Sequence, residues 1–315
     1  VCWIITEGLI GTQNQCLALA QALACQQPMV KKIHLRAPWK WVTPYIRAFS
    51  PLALTSDSDS LAGPWPDIII ASGRKAIAAS LWVKKQSKDK AVLVVVQNPV
   101  IKSKHFDLVI TPQHDAYDAP NAFQTSGALS HLTPAKLEAA KLDFSGLSHM
   151  PSPRIAVLIG GTSRTHRLTK EICDQLIAQL LELQAQKYSL LITASRRTPL
   201  GLLWDLRHAL QGSSIVFWDG TGNSPYLAYL AYADIILVTE DSVSMASEAI
   251  STGKPVYIIK MEGGSPRFKR FHDHLVAHDY ARWFDGQIAY WRYQPPADLA
   301  NAAARVKKIL LNKAA

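Results

Sequence analysis

The sequence predicts an α/β protein made of two Rossmann-like, doubly wound domains facing each other across a cleft. Three observations carry this expectation. Short apolar runs rich in Val and Ile alternate with longer segments of helical periodicity, the pattern of βαβ units and parallel sheets. A Gly-, Ser- and Pro-rich stretch at 145–153 separates the runs into two sets. The chain has 315 residues, 48% of them hydrophobic, enough for two cores at roughly 150 residues per domain.

In the first half the strand-like runs cover 3–6, 30–35, 67–71, 91–96 and 107–111. The opening run, Trp3 to Thr6, reads as a strand rather than a signal peptide. The loop after it carries Glu7, Gly8, Gly11 and Asn14; two glycines at that spacing do not make a dinucleotide fingerprint, so hydride chemistry has little support. Segment 39–49 then interleaves Trp39, Trp41, Tyr45 and Phe49 with Lys40 and Arg47, downstream of Lys31, Lys32, His34 and Arg36. Such a segment suits either an anionic membrane surface or a helix whose aromatic rings pack into the core. The Gly/Ser/Pro stretch places the domain boundary at 148/149, giving an N-terminal domain 1–148 and a C-terminal domain 149–315.

The second set of runs covers 154–159, 189–193, 214–217, 234–239 and 255–260. A last helix begins at Asp298, a capping residue, and places Leu299, Ala303, Val306 and Leu310 on one face. That face needs a surface to dock on, and the first domain is the expected one.

Composition narrows the partners. Lys and Arg number 34 against 24 Asp and Glu, a formal charge of +10, while the charged fraction of 18% is below the roughly 25% usual for soluble domains. An acidic partner fits: a phosphorylated small molecule, nucleic acid or anionic lipid. Basic residues form no long run and no DNA- or RNA-binding motif is present, so nucleic acid is not expected. No apolar run approaches the roughly 18–20 residues of a spanning helix, which predicts a soluble protein or one held peripherally at the inner membrane. Cys2, Cys16, Cys25 and Cys173 show neither metal-site spacing nor disulfide density, and are expected to be reduced core thiols of a cytoplasmic protein.

In a doubly wound sheet ligands bind beyond the carboxyl ends of the strands, so the residues after each run are the informative ones. Gly160, Gly161, Thr162, Ser163 and Arg164 follow one run; Ser195, Arg196 and Arg197 follow the next; Glu240, Asp241, Ser242 and Ser244 follow a third; 261–265 follows a fourth. All four loops are expected along one edge. The glycines allow close backbone approach, the hydroxyls and arginines suit phosphate oxygens, and a following helix would add N-terminal amides. The alternative is a plain tight turn beside solvated arginines.

From 241 to 252 the chain reads as a helix with Val243, Ala246 and Ile250 on one face and Asp241, Ser244 and Glu248 on another. Glu248 is either a solvated side chain or an acceptor for both hydroxyls of a ribose. Glu240 and Asp241 are either ligand-facing or plain helix-capping groups. Thr252, Gly253, Lys254 and Pro255 lack the upstream glycine and the Ser or Thr of a P-loop. His272, His274 and His278 lie in a polar stretch that reads as a solvated helix, and no metal is expected.

The motifs at 160–164, 193–199, 219–226, 239–249 and 264–272, in that order, resemble the mitochondrial-fission "elongated mitochondria" family, with 8–15 and 125–130 matching as well. More remotely, the second half resembles the donor-binding half of GT-B glycosyltransferases such as the peptidoglycan N-acetylglucosaminyltransferase. That resemblance implies transfer of a sugar from a nucleotide-diphosphate donor, without a required metal or other cofactor, to an acceptor such as a lipid. It implies that Gly161 to Ser163 face the diphosphate, with Ser242 and Ser244 nearby, that Glu248 holds the ribose, and that 217–226 flanks the base. The general base would come from the first half, as Glu7 or as His114 with Asp115. The other readings left open are a sugar-nucleotide epimerase and a non-catalytic membrane-associated scaffold on the same fold.

Overall fold

The structure is a computed structural model that describes residues 1–45, 49–218 and 220–314. In order, its elements are β1 (Cys2–Thr6), α1 (Ile10–Ala22), β2 (Met29–Lys32), α2 (Trp39–Val42), β3 (Ile68–Ser72), α3 (Ala76–Gln86), β4 (Val92–Val96), β5 (Leu108–Pro112) and β6 (Ala122–Thr125). Then come α4 (Pro134–Asp143), β7 (Arg154–Ile159), β8 (His166–Arg167), α5 (Lys170–Ala185), β9 (Ser189–Ala194), α6 (Leu200–Ala209), β10 (Ile215–Phe217), α7 (Tyr226–Tyr232) and β11 (Ile235–Thr239). The last are α8 (Val243–Ile250), β12 (Val256–Ile259), β13 (Glu262–Gly263), α9 (Pro266–Ala277), β14 (Arg282–Trp283) and α10 (Asp298–Ala314).

Two compact units result, Val1–His131 with Ala297–Ala315, and Leu132–Pro296. In the first, six strands lie in the order β2-β1-β3-β4-β5-β6, every neighbouring pair parallel. Helices on both faces explain why β1, β3, β4 and β5 are buried throughout and read as near-continuous apolar runs. Alternate residues serve opposite faces: Trp3, Ile5, Ile69, Leu93 and Val95 join one apolar cluster, Ile4, Ile70, Val92 and Val94 the other. α10 closes the second face, with Ala302, Ala303 and Val306 buried in that cluster. Asp298 accepts the Ser126 amide at 2.8 Å, which ties the start of α10 to the end of β6.

The second unit holds the order β10-β9-β7-β11-β12-β14, again all parallel. Counted from its own first strand this is 3-2-1-4-5-6, the Rossmann order, and the order reverses between β7 and β11. A two-stranded antiparallel strap, β8 with β13, is added at its edge.

Two expectations, the boundary and the linker, need correction. The boundary lies near 131 rather than at 148/149, because Leu132, Leu137, Leu147 and Met150 pack with Leu158 and Ile236, and Tyr232 donates to the Lys141 carbonyl at 3.1 Å. The stretch at 145–153 is therefore a turn inside the second unit; Arg154 Nε holds it by donating to the Met150 carbonyl at 2.8 Å. Cys2, Cys16 and Cys25, distant in sequence, share one apolar cluster. In segment 39–49, Trp39 and Phe49 pack on the core whereas Trp41 and Tyr45 are exposed; residues 46–48 lie outside the described residues.

Candidate functional site

The loops after β7, β9 and β11 meet at the point where the strand order of the second unit reverses. Thr239, the last residue of β11, accepts the Gly160 amide on Oγ1 at 2.7 Å and donates to Asp241 Oδ1 at 2.7 Å. Asp241 Oδ2 accepts the Gly161 amide at 3.2 Å and pairs with Arg197 Nη2 at 2.6 Å. The Asp241 side chain has no exposed surface, while that of Arg197 is 45% exposed. Thr198 donates from Oγ1 to the Gly160 carbonyl, and the Thr162 amide donates to the Arg197 carbonyl at 3.2 Å.

This geometry corrects the anion-cradle expectation in one respect. The amides of Gly160, Gly161, Thr162 and Ser163 all have partners within the protein, the last donating to the His166 carbonyl at 2.8 Å. The negative group beside the Gly161 amide is the protein's own Asp241. Nor does a helix follow directly: β8 intervenes, and α5 starts only at Lys170, capped by Thr169. Arg164, Arg196 and Ser244 are exposed around this core, and Ser195 Oγ accepts the Arg197 amide at 3.1 Å.

Ser242, not Asp241, caps α8, with Oγ accepting the Met245 amide at 3.3 Å. Glu248 lies in the second turn of α8, where Tyr226 Oη donates to its Oε2 at 2.5 Å. Burial pushes the Glu248 carboxyl above the ordinary range, the Tyr226 bond opposing this in part. Burial and the neighbouring Glu248 push the Tyr226 hydroxyl well above its usual value. Glu248 is thus no solvated side chain. Asp219 lies outside the described residues.

Glu240 points elsewhere. Its Oε2 accepts the Met261 amide at 3.0 Å, and its Oε1 stands 3.9 Å from both His166 Nε2 and His272 Nδ1.

In the first unit Glu7 Oε1 accepts the Lys75 amide at 3.0 Å and Oε2 pairs with Lys75 Nζ at 3.1 Å. Gly8 has φ +80° and donates to Thr6 Oγ1 at 3.3 Å; Gly11 and Asn14 fall within α1. His114 is buried in the turn after β5, with Nε2 3.6 Å from Asp115 Oδ1. β3 and β4 separate β1 from β5, so Glu7 and His114 sit three strand spacings apart, about 14 Å. They do not form a pair. The sequence does not single out Thr239, Lys75 or His166, although Thr239 stands inside a quoted motif; Tyr226 ends the segment 217–226 expected to flank the base, and its bond to Glu248 is the addition.

A family model described as mitochondrial fission ELM1 matches residues 10–310. The chain belongs to this family. It is 31% identical over 273 residues to the mitochondrial fission protein ELM1 of Arabidopsis thaliana, a match covering 78% of this chain and 64% of that protein, so just under two thirds of the plant protein's length. Among solved structures, the UDP-GlcNAc 2-epimerase of Methanocaldococcus jannaschii superposes with a TM-score of 0.58 at 13% identity, covering 99% of this chain and 100% of that one. MurG of Acinetobacter baumannii gives 0.51 at 11% identity, covering 99% and 94%. At such identities the ELM1-family chain shares a fold with these enzymes, an α/β architecture with two parallel six-stranded sheets.

Proposed function

We propose that the second unit binds a nucleotide-diphosphate sugar and that the chain transfers the sugar to an acceptor, with Glu248 as the ribose acceptor. The buried Glu248–Tyr226 pair carries this reading. A carboxylate in the second turn of a helix that starts where the strand order reverses can accept two neighbouring hydroxyls. The M. jannaschii epimerase has also been solved in complex with UDP-GlcNAc and UDP, with a TM-score of 0.52 to this chain. Arg164, Arg196 and Arg197 would offset the diphosphate charge in place of a cation. Exposed Trp41 and Tyr45, 67% and 65% accessible, would hold the protein at an anionic membrane on the cytoplasmic side, where an acceptor lipid lies. Co-sedimentation with anionic vesicles at low salt, lost in Trp41→Ser, tests that part.

A second reading, a non-catalytic membrane-associated scaffold on the same fold, has a specific observation behind it: Glu7, one of the two candidate bases, is held by the Lys75 amide and ammonium. Thermal shift with UDP, GDP and ADP tests the common core of both. One of the three is expected to raise the melting temperature, and Glu248→Ala to abolish the rise; no shift with any of them overturns the proposal. Product analysis with the matching nucleotide sugar then separates enzyme from scaffold. The rise should also shrink with falling pH, and from a pH above the ordinary carboxylate range. The Glu248 carboxyl is raised, so it takes up a proton there and loses acceptor capacity. The same raised value makes the unliganded fold more stable as pH falls through it, since the folded state then binds the extra proton.

A further inference from the structure

Cys2 and Cys25 are far apart in the sequence and neighbours in the first unit. β1 and β2 are parallel, so α1 between them must carry the chain back to the edge where β1 begins. There the helix stops. Ala24 takes a left-handed turn, φ +59°, and the Cys25 amide donates back to the Ala20 carbonyl at 3.0 Å. β2 then enters with Met29 opposite Trp3, which leaves the turn over the start of β1, where Cys2 stands. Both cysteines line one cavity of about 410 Å³, together with Gln26, Gln27, Ile68 and Leu310.

The four cysteines are not equivalent. Cys25 is half-buried, whereas Cys2, Cys16 and Cys173 are buried, and neither Cys16 nor Cys173 lines the cavity. Burial, and after it the Cys25 thiol alongside, push the Cys2 thiol well above its usual value. Burial also pushes Cys16 up to about 12 and Cys173 up to about 11. Thiols held protonated and out of reach react slowly with oxidants. An oxidant that enters the cavity therefore meets Cys25 first, and the sulfur beside it is that of Cys2. Cys16 and Cys173 serve as internal controls.

We propose that Cys2 and Cys25 form a modification site at which a hydroperoxide oxidises Cys25 and Cys2 closes a reversible disulfide. The Cys25 sulfur attacks a peroxide oxygen, the O–O bond breaks, and Cys25 becomes a sulfenic acid while the rest of the peroxide leaves as water or an alcohol. The Cys2 sulfur, giving up its proton, then attacks the Cys25 sulfur; the S–O bond breaks and the hydroxide leaves with that proton as water. In sum two thiols lose two electrons and two protons, and one hydroperoxide is reduced. The bond ties the start of β1 to the end of α1, around the loop that carries Glu7. Nothing in it depends on nucleotide binding.

Hydrogen peroxide is the probe, applied in small excess to the full chain, followed by denaturation, alkylation with N-ethylmaleimide, intact mass and digestion. The parent, with four free cysteines, should fall from four labels to two, yield peptides joined through Cys2 and Cys25, and regain all four labels after dithiothreitol. Cys25→Ser, a change at a half-buried position, should keep every remaining label and yield no joined peptides. The oxidised parent should melt roughly 5–10 °C above the reduced one, because the bond closes a long ring in the unfolded chain. Retention of all four labels overturns the proposal, as does loss of labels without joined peptides. So do a bond to a different cysteine or between chains, and a disulfide that forms as readily in Cys25→Ser. An oxidised form that melts below the reduced one overturns it too, since the bond would then not fit the native fold.

Discussion

Gly161→Ala is expected to lower the melting temperature by roughly 10 °C. A Cβ at this position would lie 2.1 Å from both the carbonyl carbon and oxygen of Arg197, and 2.4 Å from the Thr198 nitrogen. All three are backbone atoms and cannot swing aside. The loop after β7 would have to part from the loop after β9. That breaks the Thr162–Arg197 backbone bond and moves the Gly161 amide off Asp241. Overpacking combined with lost buried hydrogen bonds costs about 3–5 kcal/mol, and for units of this size each kcal/mol is worth about 2–4 °C. Gly201→Ala is the control. It sits near the start of α6, and a methyl added there would have nothing within 4 Å, so the same change should be neutral or stabilise by up to about 1 kcal/mol. Scanning calorimetry of the two variants reads the contrast. A Gly161→Ala protein melting within about 2 °C of the parent would contradict the close approach of the two loops.

That packing also shows what the sequence could and could not disclose. The sequence singles out both glycines after β7, and their missing Cβ points to close approach to a ligand. Their actual neighbour is protein: a Cβ on Gly160 would meet Asp241 Oδ1 at 2.0 Å, a long-range contact that no local pattern announces. Neither glycine has a positive φ, so space and not backbone conformation demands them. The central strands were legible because a parallel sheet covered on both faces makes every residue of a strand apolar. β7 was read to the residue, Arg154 to Ile159. The edge strands β6 and β14 were not, because an edge needs neither length nor two apolar faces; β14 has two residues, and β6 includes Gln124 and Thr125. Which of Asp241 and Ser242 caps α8 depends on one backbone torsion, ψ 97° at Ser242, which composition does not encode. Glu248 was placed correctly on its helix, but its partner Tyr226 lies 22 residues earlier and only the fold joins them.

Asp241→Ala should give two opposite changes, and their combination is the informative result. The Asp241 carboxylate accepts the Gly161 amide, the Thr239 hydroxyl and the Arg197 guanidinium, with no exposure of its own. Removing it leaves two buried donors unmet, at about 1–3 kcal/mol each, while Arg197, 45% exposed, turns to water at little cost. A loss of roughly 3 kcal/mol follows. The same deletion uncovers an amide and a guanidinium that a negative ligand can use, and removes the charge that opposed it. Pyrophosphate should therefore raise the melting temperature of Asp241→Ala more than that of the parent, since a ligand at 100 times its dissociation constant contributes about 2.7 kcal/mol to the fold. Asp241→Asn retains an acceptor oxygen and the shape of the side chain, so it should destabilise less and give a smaller gain with pyrophosphate. Equal pyrophosphate shifts in the parent and Asp241→Ala would mean that Asp241 does not guard the loop after β7. A larger shift in Asp241→Ala would identify this carboxylate as the group that sets how tightly a diphosphate can bind beside Arg197.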